Sequence, residues 1–219
     1  MNIVIFGSSG HAKVLLEIIL LDESLKVLGF IDDFKKQGVR IHNQPVLGNT
    51  EQFPEISKKH KIAAGIIGIG DNFGRQKIAK KIENFDLNFR WITLIHPRAW
   101  VAPSVVIGEG SVIIGQSTIN TSSNIGIHVI VNTNSSIDHD SQVGDFSSIG
   151  PGVHTGGNVS IGTCTHIGIG ATIIQKIQIG DHCVIGAHSL VNNPVPSLSI
   201  SYGVPNRLIK TRKPGSSYF

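Results

Sequence analysis

Ile161-Gly162-Thr163-Cys164-Thr165-His166-Ile167-Gly168-Ile169-Gly170-Ala171-Thr172-Ile173 carries a β-branched residue at every sixth position. The same frame runs from Ile95 to Val191, and sixteen of its seventeen positions are Ile or Val. Ile and Val make up 29 of the 97 residues in that window, so chance alone gives about five matches. The next position is often glycine, as at Gly108, Gly126, Gly144, Gly162 and Gly180. The fifth is small or aliphatic, as at Ser111, Ser123, Ser141, Ser147, Thr165 and Ala171. A period of six is neither helical nor a plain alternating strand. It predicts a left-handed parallel β-helix, a prism with three hexapeptides per turn and about five to six coils. In this reading the branched residue fills the prism, glycine lets the backbone turn the corners, and the small residue takes the remaining space.

Residues 1–94 lack the six-residue frame. Asn2–Phe6, Lys26–Ile31, Ile62–Ile69 and Phe89–Ile95 read as strands. Helical patterns follow Gly10, span Thr50–His60 and span Gly74–Glu83, and Pro45 and Gly48 mark a loop. Strand–helix alternation predicts a small parallel sheet with helices on its faces, an α/β Rossmann-like domain over 1–94. His96-Pro97 marks the junction with a β-helix domain and tail over 95–219. The segment after Val191 leaves the repeat and is expected to cap it.

The 219 residues carry a net charge of +4, partly from Arg207, Lys210, Arg212 and Lys213. The rest of the chain has no basic stripe, which argues against nucleic acid and makes the tail a candidate for phosphate groups. No apolar run is long enough to span a bilayer, and Met1–Gly7 reads as a buried strand, not a signal peptide. A cytoplasmic protein is expected. Cys164 and Cys183 form no CxxC pair; Cys183 reads as a core residue and Cys164 as a surface thiol.

Gly7-Ser8-Ser9-Gly10-His11 joins the first strand to the first helix, where the helix N-terminus favours an anion. It is not the G-x-G-x-x-G dinucleotide fingerprint, which argues against an NAD-linked oxidoreductase. This turn, Asp32-Asp33 and Gly70 all follow strands, where open α/β sheets bind nucleotides. Seven of the ten histidines fall in the repeat region and read mostly as surface residues. With no HxH or HxxxH pattern, no metal site is expected. His139 differs, standing between Asp138 and Asp140. A carboxylate beside an imidazole fixes its tautomer and raises its basicity, which suits a general base near neutral pH. On a strand those neighbours point to opposite faces, so contact requires a bend there.

Together GSSGH, Ile31-Asp32-Asp33, Ile69-Gly70-Asp71-Asn72, Ile137-Asp138-His139-Asp140, Gly144-Asp145-Phe146-Ser147, Gly156-Gly157-Asn158-Val159 and Gly203-Val204-Pro205 resemble one family along nearly the whole chain. It is the bacterial hexapeptide-repeat sugar acetyltransferases of the sialic acid O-acetyltransferase and PglD type. The resemblance implies an acetyl-CoA-dependent N-acetyltransferase acting on a nucleotide-linked 4-amino-deoxy sugar, carried on UDP, in bacterial glycan biosynthesis. It implies His139 as base and Asp140 as the acid that tunes it. Ser9, Gly10, His11, Asp32, Asp33 and Gly70 match positions that hold the nucleotide sugar. Ile169, Gly186 and Ala187 match the acetyl-CoA groove. Ser148 stands where relatives commonly carry a second histidine near the acetyl carbonyl; a hydroxyl donates one hydrogen bond but cannot carry a positive charge. The resemblance also implies a homotrimer. O-acetylation of a sialic-acid-like sugar and a non-catalytic β-helix scaffold are the alternatives.

Overall fold

The computed structural model describes residues 1–86 and 88–216, and the chain divides into two units, Met1–Leu94 and Ile95–Phe219. In the first unit the apolar run β1 (Asn2–Phe6) is almost wholly buried. It leads into α1 (Gly10–Ile19), whose apolar face buries Leu15, Leu16, Ile18 and Ile19. Then follow β2 (Lys26–Ile31), β3 (Arg40–Ile41), β4 (Gln44–Gly48), α2 (Phe53–His60), β5 (Ala64–Ile67) and α3 (Asn72–Phe85). The sheet order is β3-β4-β2-β1-β5, parallel except for the β3–β4 hairpin. Asp71 caps α3, its Oδ1 accepting from Gly74 N at 2.6 Å.

Two sequence expectations change here. The stretch with Pro45 and Gly48 is not a loop: β4 pairs with β2 and extends the sheet. Residues Phe89–Ile95 do not form a full strand. Trp91 makes a single bridge to Gly65, and its ring joins Phe6, Phe53 and Phe89 in an edge-to-face cluster with centroids 4.9–5.9 Å apart. These rings spend their apolar surface on the cluster, and the backbone leaves the sheet.

In the second unit the six-residue frame becomes a parallel β-helix of two-residue strands on three faces. Partners are eighteen residues apart, as in Thr118↔Ser136, Gln142↔Ser160 and Ser148↔His166. Ile113, Ile119, Val131, Ile137, Ile149 and Ile167 point inward and are fully buried. The face that contains Ser148–Ile149 continues beyond the repeat. Ser199–Tyr202 pairs in parallel with Val184–Ile185, and Arg207–Thr211 folds back on it antiparallel.

The role expected of the glycines is corrected. Left-handed φ values fall at the fourth position of the frame and mostly on other residues: Gln116, Ser122, His128, Asn134, Asp140, Phe146 and Cys164, at 52–63°. The glycines at the second position instead permit close stacking of coils. A Cβ on Gly144 would lie 2.6 Å from Thr163 N, and one on Gly108 2.6 Å from Gly126 C. The small fifth residue does more than fill space. Ser111 Oγ donates to Gly126 O at 2.7 Å and accepts from Val129 N at 2.8 Å. Ser147 and Thr165 repeat the pattern one coil at a time. Cys164 is a buried corner residue, not a surface thiol, and Cys183 lies in the core. His128, expected at the surface, is buried with its ring stacked on Phe146.

Candidate active site

His139 and Asp140 occupy the corner between the face of Ser136–Ile137 and the face of Gln142–Val143. The left-handed φ of 56° at Asp140 turns the chain, so the two neighbours point the same way. His139 Nδ1 lies 2.7 Å from Asp140 Oδ2, and both side chains are about half exposed, at 49% and 52%. The hydrogen bond to Asp140 raises the His139 pKa above its ordinary value, with the charges of Asp138 and Asp140 adding to it. With Nδ1 engaged, Nε2 is the nitrogen left to exchange a proton.

Two residues in neighbouring coils hold this corner. Asp138 Oδ1 accepts from Asn120 Nδ2 at 2.7 Å and from His139 N at 2.8 Å. Those bonds, the one from Asn120 first, keep the Asp138 carboxyl below the usual carboxylate range. On the other side a Cβ on Gly157 would stand 2.5 Å from His139 Nε2, so only glycine leaves the ring its place. Neither Asn120 nor Gly157 was singled out as a site residue from the sequence. Both lie eighteen residues from the Asp138–His139 pair, so the repeat itself, read across one coil, contains the signal.

Ser148 lies on a different face of the prism, buried in the strand Ser148–Ile149. Ile169, Gly186 and Ala187 follow that same face in adjacent coils, at the corner before Thr172–Ile173 and Leu190–Val191. Ile169 is 56% exposed, and Gly186 N donates to Ser201 O at 2.9 Å. One chain therefore groups these four residues on one side and carries His139 at another corner.

In the first unit, the ends of β1, β2, β4 and β5 surround a cavity of about 360 Å³. Phe6, Ile31, Ile69 and Ile78 supply its apolar lining, with Ser8, Ser9, Asp32, Asp33, Thr50, Phe34 and Lys35 around them. Ser8 Oγ donates to Asp32 Oδ2. Asp32 Oδ1 accepts from Phe34 N at 2.9 Å and Lys35 N at 3.0 Å. Asp33 accepts from Thr50 N at 2.7 Å and from Thr50 Oγ1. A groove of about 460 Å³ shares Ser8, Ser9 and Lys35 with the cavity and adds Gly10, Lys13, Arg40 and His42. Three cations thus meet the N-terminus of α1, where backbone N–H groups favour an anion. Lys13, Lys35 and Arg40 carry no sequence signal, because the β3–β4 hairpin brings Arg40 there only in the folded chain.

His11 lines neither cavity nor groove. Its Nε2 is buried with no hydrogen-bond partner, and burial followed by the charge of Arg75 lowers its pKa to about 3. It is neutral across the physiological range. Gly70 is open to solvent, and its carbonyl accepts from Arg75 Nη1 at 3.0 Å. Among the described residues no group of three or more His, Cys, Asp and Glu is arranged to hold a metal ion. None of the helices described is long and apolar enough to cross a membrane.

Residues 2–82 match the family model of the PglD N-terminal domain. The UDP-N-acetylbacillosamine N-acetyltransferase of Bacillus subtilis is 32% identical over 112 residues, which cover 51% of this chain and 50% of that protein. The match thus spans about half the length of this curated relative. Caulobacter crescentus PerB, solved with CoA and GDP-perosamine, superposes with a TM-score of 0.89 at 31% identity, covering 96% of this chain and 98% of that one. The acetyltransferase domain of PglB from Neisseria gonorrhoeae, solved with acetyl coenzyme A, has a TM-score of 0.86 at 31% identity, covering 95% and 98%. Near-complete coverage at this identity, with the α/β unit and the β-helix in the same order, places the chain: it belongs to the PglD-type family of sugar N-acetyltransferases.

Proposed function

We propose that the protein transfers the acetyl group of acetyl-CoA to the 4-amino group of a deoxy sugar carried on UDP, in the cytoplasm, for glycan biosynthesis. The observation that carries this reading is the His139–Asp140 pair, a half-exposed imidazole bonded through Nδ1 to a carboxylate. The amine attacks the thioester carbon as Nε2 of His139 takes its proton. The tetrahedral intermediate collapses and expels the CoA thiolate, which recovers the proton from the imidazolium. No covalent enzyme intermediate is needed, and the protein's tasks are positioning and proton transfer. The α/β unit holds the nucleotide, with Ser9, Gly10, Asp32 and Asp33 at the cavity or its neighbouring groove. Ser148, Ile169, Gly186 and Ala187 take acetyl-CoA, with Ser148 donating to the acetyl carbonyl. Arg207, Lys210 and Lys213, exposed at the end of the chain, attract the CoA phosphates.

Because His139 and the acetyl-CoA residues lie at different places on one prism, the site is completed by a second copy, and the working form is a homotrimer. A closed three-fold ring repeats one heterologous contact three times and leaves none open. Release of free CoA, followed with a panel of UDP- and GDP-linked 4-amino sugars, tests the function. Turnover with a UDP-linked acceptor is expected. Turnover with GDP-linked acceptors alone would move the chain to the chemistry named for PerB, and no CoA release with any acceptor would overturn the reading.

A further inference from the structure

We propose that Phe34 is the platform on which the nucleobase of the substrate stacks, an inference that rests on the nucleotide reading of the cavity above. Phe34 is 98% exposed, yet it lines the rim of that cavity. Its backbone is not loose. The N–H groups of Phe34 and Lys35 both donate to Asp32 Oδ1, so the turn is pinned while the ring stands clear. The ring therefore stands at the mouth of the pocket with its faces open to a ligand that enters there.

The polar residues of the cavity point the same way. Ser8 is bonded to Asp32, Thr50 to Asp33, and Ser9 Oγ to Gly68 O at 3.2 Å. Lys81 Nζ donates to Thr50 Oγ1 at 2.7 Å. The polar side chains are thus largely committed to one another, and no Asn, Gln or Arg is among the lining residues. What a base can still meet is apolar surface. Stacking on an aromatic ring suits every base, because each has a π-face. The adjoining groove with Lys13, Lys35 and Arg40 then receives the diphosphate one step away. Base and diphosphate are held by different residues, and Phe34 acts on the first alone.

Calorimetry with UDP and with GDP on the wild-type protein, Phe34→Ala and Phe34→Trp tests this. Phe34→Ala is expected to weaken both diphosphates by a similar factor, about 10-fold or more, while CoA affinity stays at the wild-type level. In turnover it raises KM for the nucleotide sugar and leaves kcat at saturation unchanged. Phe34→Trp is expected to retain affinity and to gain a fluorescence signal, above that of Trp91 and Trp100, that UDP quenches. Wild-type affinity of Phe34→Ala for both diphosphates overturns the role of Phe34. So does a loss confined to one of them, which means the base edge is read instead. So does unchanged affinity with a lower mass by light scattering, which means the ring packs on a second copy. Failure of the wild-type protein to bind either diphosphate overturns the nucleotide reading itself.

Discussion

At the scale of single residues, the chemistry turns on where a proton sits. The bond to Asp140 raises the His139 pKa, and the neutral ring is the form that accepts a proton. Activity should therefore rise with pH through a value above the ordinary histidine pKa of about 6.5. Asp140→Asn removes the bonded charge, so the acid limb of kcat/KM should move to lower pH while the rate on the plateau falls modestly. A limb that stays in place would show that His139 is not the group being read. His139→Ala should lower kcat by about 10²–10⁴-fold with little change in KM, the usual worth of a positioned base. Near-normal turnover in that variant would sink the assignment. His166→Ala, on the face of Ser148–Ile149 and away from the His139 corner, is a control and should keep most of the activity.

Among the elements, the prism stands on contacts between coils that a list of propensities misses. The glycine at the second position sits against the backbone of the next coil, and the serine at the fifth links two coils through one hydroxyl. Gly144→Ala should then destabilise by about 1–3 kcal/mol, since the added methyl must push a backbone aside. The measured Tm should fall further than for Gly152→Ala. There the added Cβ comes no nearer than 4.0 Å to Gly170 Cα, although the φ of 64° carries its own cost. Equal losses would mean that backbone conformation, not coil spacing, sets the glycine requirement. The hairpin Arg40–Gly48 teaches the converse in the first unit. Pro45 and Gly48 read locally as loop, but pairing of Val46 with Phe30 in the sheet overrides that preference.

For the whole molecule, the separation of His139 from Ser148, Ile169, Gly186 and Ala187 predicts assembly. Light scattering should report three times the chain mass of 23.5 kDa. A sharper measurement mixes two inactive variants, His139→Ala and Ile169→Glu, after unfolding and refolding them together. If each site takes His139 from one copy and the acetyl-CoA residues from the next, random mixing restores about a quarter of the sites. If each site lies within one chain, the mixture stays inactive.

The period of six, visible in the sequence, determined the prism and its inward residues, because a fixed step in a β-helix keeps each side chain on the same wall in every coil. The start of that period also suggests a junction near His96, and the acids on either side single out His139 as the candidate base. Only the tertiary structure decided that Asp140 meets the imidazole, because contact between adjacent residues depends on the left-handed turn at Asp140. It alone brought Asn120 and Gly157 to that corner, since coils separated by eighteen residues in the chain are neighbours in space. Tertiary pairing also brought Arg40 beside Lys13 and Lys35. A sequence reports local preference and period; which charges share a groove is settled by sheet order, and that follows from burying the whole apolar surface of the unit at once.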